Sequence, residues 1–480
     1  MTGADRPDTG GGPALAYVPP ASPAGRRPDD GGSASAGGAK QRTFMFLQGP
    51  HGPFYQELGR QLRRAGARTV RVTFNGGDRL FAGRGARLDY SGTLADWPGH
   101  LSGWISEHGV TDLVLYGDAR PLHRAAHDVA RAGRVRLHYF EEGYVRPHWV
   151  TYERDGVNGD SPAARLSMAE IAARMGGRDP DLPSAPDQWG ALWHHSLYGA
   201  LYHFAVACSR RRVQAAPHRK VTVGQEAAMQ ARRLAMLPLQ SLRRRWRVRA
   251  IKLRGAPYHL VLLQLGHDAS VQRYSRFDGM PPFVDEVMAA FAEGAPAHHH
   301  LVLKTHPLED GRDGLYRAVR EATRRHGLGG RVHLVPGGRL GPLLDSARSA
   351  ATVNSTAGQQ ALWRGLPLRI WGQAIYGKPG LVSDQPPAAF FAVPERPDGA
   401  AYRQFRHFLL DTSQVPGGFY TGRGRAEALR HLADMMLDPL GPYDRQVQRA
   451  GAGGGAPALR LAAAGEGHDL SAGLAEQGRT

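Results

Sequence analysis

Short apolar runs that stop abruptly at a polar group, each followed by a helical pattern, recur along this chain. That alternation restricts it to an α/β fold. Thr43 to Gln48 (TFMFLQ) runs into the turn-rich loop Gly49-Pro50-His51-Gly52-Pro53. Phe54, Leu58 and Leu62 then recur at helical spacing, and Gly66 closes that helix. A second run, Thr69 to Phe74 (TVRVTF), ends in Asn75-Gly76-Gly77-Asp78. Strand, glycine loop, helix, strand is the opening of a Rossmann-like unit. Further strand runs follow at Asp112 to Tyr116 and Val135 to Phe140.

The same grammar starts again near Pro257. Its runs are His259 to Gln264, Leu301 to Lys304, Val332 to Val335, Ala351 to Asn354 and Leu368 to Trp371, with helical patterns at Pro282 to Glu293 and Gly314 to Arg325. A chain of 480 residues exceeds one ordinary core. The expected organisation is a disordered tail (1–42), a Rossmann-like acceptor domain (43–165) and a helical basic insert (166–256). A Rossmann-like donor domain (257–400), helices crossing back (401–448) and a second disordered tail (449–480) complete it. Two such domains facing across a cleft resemble the GT-B arrangement, a likeness of fold that many functions share.

The tails are rich in Gly, Pro, Ala and Ser and cannot bury enough surface to offset their ordering entropy. The insert carries residues from Leu192 to Ala205 that are expected to form one aromatic and aliphatic face, then the basic run Arg243, Arg244, Arg245, Trp246, Arg247, Arg249, Lys252 and Arg254. Arginines beside aromatics fit either an interfacial membrane segment or a buried helix pair with a solvated face. The net charge of +18 points to an anionic partner, or to a composition that simply favours arginine. The single cysteine, Cys208, excludes an internal disulfide framework and a cysteine zinc site. With no signal-peptide pattern at the start and no run of 18 apolar residues, the protein is expected in the cytoplasm.

Three polar motifs sit where apolar runs stop: Glu141-Glu142-Gly143, His306-Pro307 and Ser355-Thr356. In open α/β sheets that edge is where ligands bind. Adjacent carboxylates on a strand face opposite ways, so one of Glu141 and Glu142 can enter a cleft as a general base. His306, with Lys304 nearby and Pro307 biasing it to an extended backbone, can stabilise a departing phosphate. Asn354, Ser355, Thr356 and Gln359 form a polar loop opening a helix, suited to phosphate, carboxylate or simple capping. Asp268, just past another strand, is a candidate nucleophile, base or cap. Gln48, Gly49, His51, Asn75 and Asp78 occupy the matching rim of the first domain and are candidate acceptor contacts. The triplet His298 to His300 is expected in a solvated turn. No P-loop, no dinucleotide fingerprint, no zinc spacing and no nucleic-acid module occurs.

The segments LQGPHGPFYQELGRQL, VTFNGGDRLF, YFEEGYVRPHWVT, GVNGDS, QLGHDAS, KTHPLEDG and VNSTAGQQALWRGLP together resemble the KpsS (LipB) family of capsule polysaccharide proteins, from about residue 43 to about 440. The resemblance implies a β-Kdo glycosyltransferase that moves Kdo from CMP-Kdo to a phosphatidylglycerol-type lipid and so starts the capsule linker. It implies an inner-membrane surface, a second Kdo transferase and the capsule export machinery as partners, with CMP-Kdo as the donor substrate; from the motifs, no nucleic-acid partner, metal site or resident cofactor is expected. By likeness to transferases of CMP-linked acidic sugars, His306 would meet the CMP phosphate and Ser355 and Thr356 the phosphate or sugar carboxylate. A β-linked donor giving a β-linked product implies retention, with Asp268 as nucleophile and Glu142 or Glu141 as acid/base, or the reverse. A non-catalytic export or scaffold protein, and a sialyltransferase-like enzyme, are the alternatives.

Overall fold

Strand β1 (Thr43–Phe46) is buried at every residue because it lies in the middle of a sheet. A computed structural model describes residues 41–176, 193–209, 242, 244–251, 253–266, 268–309, 311 and 313–451. Residues 1–40 and 452–480 of the two tails lie outside those residues, as do much of the insert and His267, while 449–451 continue helix Pro442–Gly451.

The first sheet adds β2 (Arg68–Thr73), β3 (Ala86–Asp89), β4 (Asp112–Tyr116), β5 (Arg136–Glu142) and β6 (Trp149–Arg154). Its order is β12-β6-β5-β4-β1-β2-β3, where β12 (Gln414–Pro416) comes from the far end of the chain. β3-β2-β1-β4-β5 is parallel, while β6 and β12 join antiparallel. One face packs Phe44, Phe46, Leu58 and Leu62; the other packs Met45, Leu47, Trp97 and Leu101. Helix Phe54–Arg64 buries Phe54, Leu58 and Leu62, the spacing read from the sequence. It stops at Ala65, and the next residue, Gly66, takes φ +86°, a conformation suited to glycine.

The second sheet is parallel throughout, in the order β11-β10-β7-β8-β9, from β7 (Tyr258–Leu262), β8 (His300–Lys304), β9 (Val332–Val335), β10 (Ser349–Thr352) and β11 (Leu368–Ile370). The strand order therefore reverses at β1/β4 in one sheet and β7/β10 in the other. Such switch points open crevices at the carboxyl ends of the strands. This is the two-Rossmann, GT-B-like architecture expected.

The domains share a core in which Tyr144, Val145 and Trp149 meet Leu260, Tyr376, Tyr402 and Phe405. Across it, buried Lys378 donates to the carbonyl of Ala163 at 2.8 Å, and Gln359 Nε2 donates to the carbonyl of Tyr144 at 2.8 Å. After the second domain the chain returns: β12 pairs with β6, and helix Gly422–Leu437 packs on helix Phe54–Arg64, where Arg425 meets Glu57 at 3.0 Å.

Two expectations need correction. Of the histidine triplet, His298 lies in an exposed turn as expected, but its two neighbours do not. His299 is 4% exposed and faces His259 Nε2 at 3.1 Å, while His300 lies in β8 with its Nδ1 2.8 Å from His333 Nε2. The insert's aromatic group is also not one face. In helix Trp193–Cys208, Tyr198 and Tyr202 turn inward, while Trp193, Leu197, Leu201 and Phe204 are exposed. Leu192 lies outside the described residues.

Candidate active site

Glu141 and Glu142 are the last two residues of β5 and pair with Thr151 and Val150 of β6. The strand pleat sends their side chains apart. Glu142 Oε1 accepts from the hydroxyls of Tyr116 and Tyr420, each at 3.2 Å. Glu141 turns the other way. Its Oε1 accepts from the Glu142 amide at 3.1 Å, and its Oε2 lies against Gly117, only 3.0 Å from where a β-carbon would stand. Gly117 has φ +69°, so it suits both the turn and the close approach. Burial, reinforced by the Glu142 and Asp118 carboxylates, pushes Glu141 up to about 7 despite its amide bond and Arg146.

Asp118 follows β4 and is buried. The hydroxyl of Tyr274 hydrogen-bonds it from the other domain, and Arg273 Nη1 donates to its carbonyl at 3.0 Å. Arg273 also pairs with Asp160. Tyr274 and Arg273 belong to helix Ala269–Tyr274, which Asp268 caps by accepting from the Ser270 amide at 3.0 Å. One short helix therefore carries Asp268 at its start and grips the β4 end of the first domain at its finish. Asp268 and Glu141 thus belong to one interdomain seam.

On the second domain, His306 Nδ1 accepts from the Leu308 amide at 3.1 Å, and Pro307 is exposed. Lys304 ends β8 and is buried. Thr305 Oγ1 accepts from the Gly337 amide at 3.1 Å. Ser355 Oγ accepts from the Ala357 amide at 3.2 Å, and Thr356 beside it is partly buried. Ser355 and Thr356 follow the end of β10 and His306 follows the end of β8, so these two motifs lie just past strand ends of the second sheet, as Glu141 and Glu142 end a strand of the first.

Five residues expected to meet substrate, Asn354, Gln359, Asp78, Asn75 and Gln48, are engaged internally. Asn354 Oδ1 accepts from Gln264 Nε2 at 2.9 Å, and its Nδ2 donates to the Ser270 carbonyl at 3.0 Å, fixing the Asp268 helix. Gln359 ties the domains through Tyr144 and accepts from the Tyr402 hydroxyl at 3.4 Å. Asp78 accepts from the hydroxyl of Tyr202 at 2.9 Å and from the Phe74 amide at 3.0 Å. Asn75 Nδ2 reaches the same hydroxyl at 3.0 Å. Gln48 Nε2 joins that hydroxyl at 2.9 Å, and Arg120 donates to Gln48 Oε1 at 2.9 Å. Gly49 makes room for Tyr55. The rim around β1 and β2 is thus roofed by helix Trp193–Cys208 rather than open. His51 sits between His195 and Tyr420, with ring centroids at 4.7 and 5.0 Å. Burial, helped by the charges of His195, His203 and Arg120, pushes His51 down to about 4, so it is neutral at pH 7.

The sequence did not single out Asp118, Arg273, Tyr274, Tyr116 or Tyr420. Asp118 follows an apolar strand and a glycine in LVLYGDAR, the same signal as the chosen motifs. Tyr420 lies 278 residues from Glu142, and no local pattern marks it. Among the described residues, no three His, Cys, Asp or Glu side chains cluster in a way that would hold a metal ion. No described helix is long and apolar enough to cross a membrane.

The model of the family described as capsule polysaccharide biosynthesis protein matches residues 111–420. The chain is 30% identical over 388 residues to the capsule polysaccharide export protein KpsS of Escherichia coli, covering 79% of this chain and 97% of that one. It is 27% identical over 390 residues to the capsule polysaccharide modification protein LipB of Neisseria meningitidis, covering 79% and 92%. Among solved structures, the β-Kdo 2,7 transferase of Thermosulfurimonas dismutans KpsC aligns at 12% identity and a TM-score of 0.38, over 82% of this chain and 100% of that one. The matched residues 111–420 span β4, β5, the Asp268 helix and the β10 rim, and the chain belongs to the capsule polysaccharide biosynthesis family that includes KpsS and LipB.

Proposed function

We propose that this protein is a retaining β-Kdo glycosyltransferase, taking Kdo from CMP-Kdo and placing it on a phosphatidylglycerol-type lipid at the inner membrane surface. The observation that carries this reading is Glu141: a partly buried carboxyl poised at about 7, on the same seam as the Asp268 helix. A base of that pKa is matched to taking a proton from an acceptor hydroxyl near neutral pH.

In the first step an Asp268 oxygen attacks the anomeric carbon. The bond to the CMP phosphate breaks, and its electron pair leaves on the phosphate. Lys304 and His306 stand on the β8 rim to meet that charge, and Ser355 and Thr356 on the β10 rim to bind phosphate or sugar carboxylate. In the second step the acceptor hydroxyl gives its proton to Glu141 and attacks the same carbon, and Asp268 departs as a carboxylate. Two inversions give net retention. Glu142 suits the proton role less well, since Tyr116 and Tyr420 both donate to it. Exposed Trp193, Leu197, Leu201 and Phe204, with exposed Arg245, Trp246 and Arg249, support contact with an anionic lipid surface.

Mass spectrometry of the product from CMP-Kdo and a short-chain phosphatidylglycerol tests the reading. The expected result is acceptor mass plus one Kdo or more. An unmodified acceptor, with CMP-Kdo intact, would refute it.

A further inference from the structure

Lys304 is 7% exposed, and among the described residues its ammonium has no carboxylate or hydrogen-bond partner. The charge acting on it is a second cation, Arg244. Burial first, and then Arg244, push Lys304 down to about 8. Arg244 comes from the insert, on the helical run 244–251. That run is held along the edge strand β9: Arg247 Nη1 donates to the Leu334 carbonyl at 2.5 Å, and further on Arg254 Nη1 lies 3.4 Å from His333 Nε2. The Arg244 side chain then lies across Gly338. A β-carbon there would stand 2.2 Å from Arg244 Cδ, and φ at Gly338 is +80°. The preceding Gly337 packs on Pro307 and bonds Thr305. Arg244, Lys304, Thr305 and Pro307 therefore meet at the end of β8.

Two neighbouring cations, one of them buried, are costly unless an anion completes the site. A guanidinium fork beside a compact ammonium is a pairing suited to the oxygens of a phosphate ester.

We propose that Arg244 and Lys304 form a two-cation seat for a phosphate ester, so that the helix 244–251 of the insert is a built part of the donor site. Naming the occupant as the nucleotide phosphate rests on the transferase reading; the seat itself does not. The phosphate of a lipid headgroup offers the same chemistry, and the test separates the two.

Dissociation constants are measured by calorimetry for CMP, cytidine and glycerol phosphate, on the full chain and on Arg244→Ala and Arg244→Lys. The expected result for Arg244→Ala is a CMP constant raised about tenfold with cytidine unchanged. The slope of log Kd against log salt becomes shallower, and Arg244→Lys recovers part of the loss. Loss of glycerol phosphate binding alone, with CMP unaffected, would keep the seat and overturn its nucleotide assignment. If the wild type binds neither CMP nor cytidine, the donor assignment falls, and glycerol phosphate alone judges the seat. Constants for CMP and glycerol phosphate within about twofold of wild type in Arg244→Ala would overturn the proposal. So would an equal loss of CMP and cytidine binding, which marks a merely structural role.

Discussion

The hydroxyl of Tyr274 in the second domain bonds the buried carboxylate of Asp118 in the first. That contact joins the end of β4 to the helix that Asp268 caps, so the geometry of the site and the fit of the two domains are one matter.

Removing it should be costly. Tyr274→Phe leaves Asp118 buried with one donor fewer, and Asp118 Oδ1 already has no partner among the described residues. Stability is expected to fall by about 1–3 kcal/mol, read as a lower urea midpoint at pH 7. An unchanged midpoint would mean that the seam opens freely.

Glu141 gives the activity its pH dependence. As a base it must be ionised, so with a pKa of about 7 turnover should rise with pH through 7 and then level off. Glu141→Gln should lower turnover at least a hundredfold, an order of magnitude taken from general-base catalysis, and should flatten that rise. The same rise surviving in Glu141→Gln would move the base elsewhere. For stability the sign is opposite: the raised pKa favours the protonated folded form, so its contribution is lost as pH climbs through about 7.

Asp268→Asn separates chemistry from binding. The amide oxygen can still cap the helix by accepting from the Ser270 amide, but it is no nucleophile. Transfer is expected to fall by at least about a thousandfold with CMP-Kdo affinity kept. Near-normal single-turnover rates would remove Asp268 from the mechanism.

Apolar runs were legible because their composition needs no distant partner to explain it. Thus β1, β2, β4 and all five strands of the second sheet were read to within a residue or two. β6 was missed because its six buried residues owe much of their burial to a partner far along the chain; Thr151 bonds Gln414, 263 residues away. β3 (ARLD) is too polar and too short to stand out. The motifs were legible as strand ends, but not the engagement of Asn75, Asp78, Asn354 and Gln359, which depends on Tyr202, Ser270 and Tyr144.

The roof over β1 and β2 depends on two missing β-carbons. At Gly76 a β-carbon would lie 2.2 Å from the Ala205 carbonyl oxygen, and at Gly77 2.6 Å from the Tyr202 ring. Gly76→Ala should lift helix Trp193–Cys208, seen as faster hydrogen exchange across 193–208 with β1 still protected. Unaltered exchange there would show that the helix adjusts without lifting.

Acid should weaken the second domain through its inner histidines. Burial, with His299 and nearby arginines, pushes His259 down to about 3, and burial with His298 pushes His299 down to about 4. Both are neutral when folded, while the unfolded chain takes up protons near 6.5. The melting temperature should therefore fall as pH drops below about 6.5. His259→Gln, which removes one titrating ring, should reduce that slope; an unchanged slope would place the acid sensitivity elsewhere.

The late return of β12 has a bearing on how this protein is made. The sheet that begins with Thr43 is finished only when Gln414–Pro416 lies against β6. Until then β6, whose six residues are all buried in the finished molecule, leaves its backbone unpaired on that side along Trp149, Val150 and Thr151. A chain emerging from the ribosome must therefore complete the second domain before it can seal the first. A nascent chain that stops short of residue 414 is expected to be sticky and to need a chaperone.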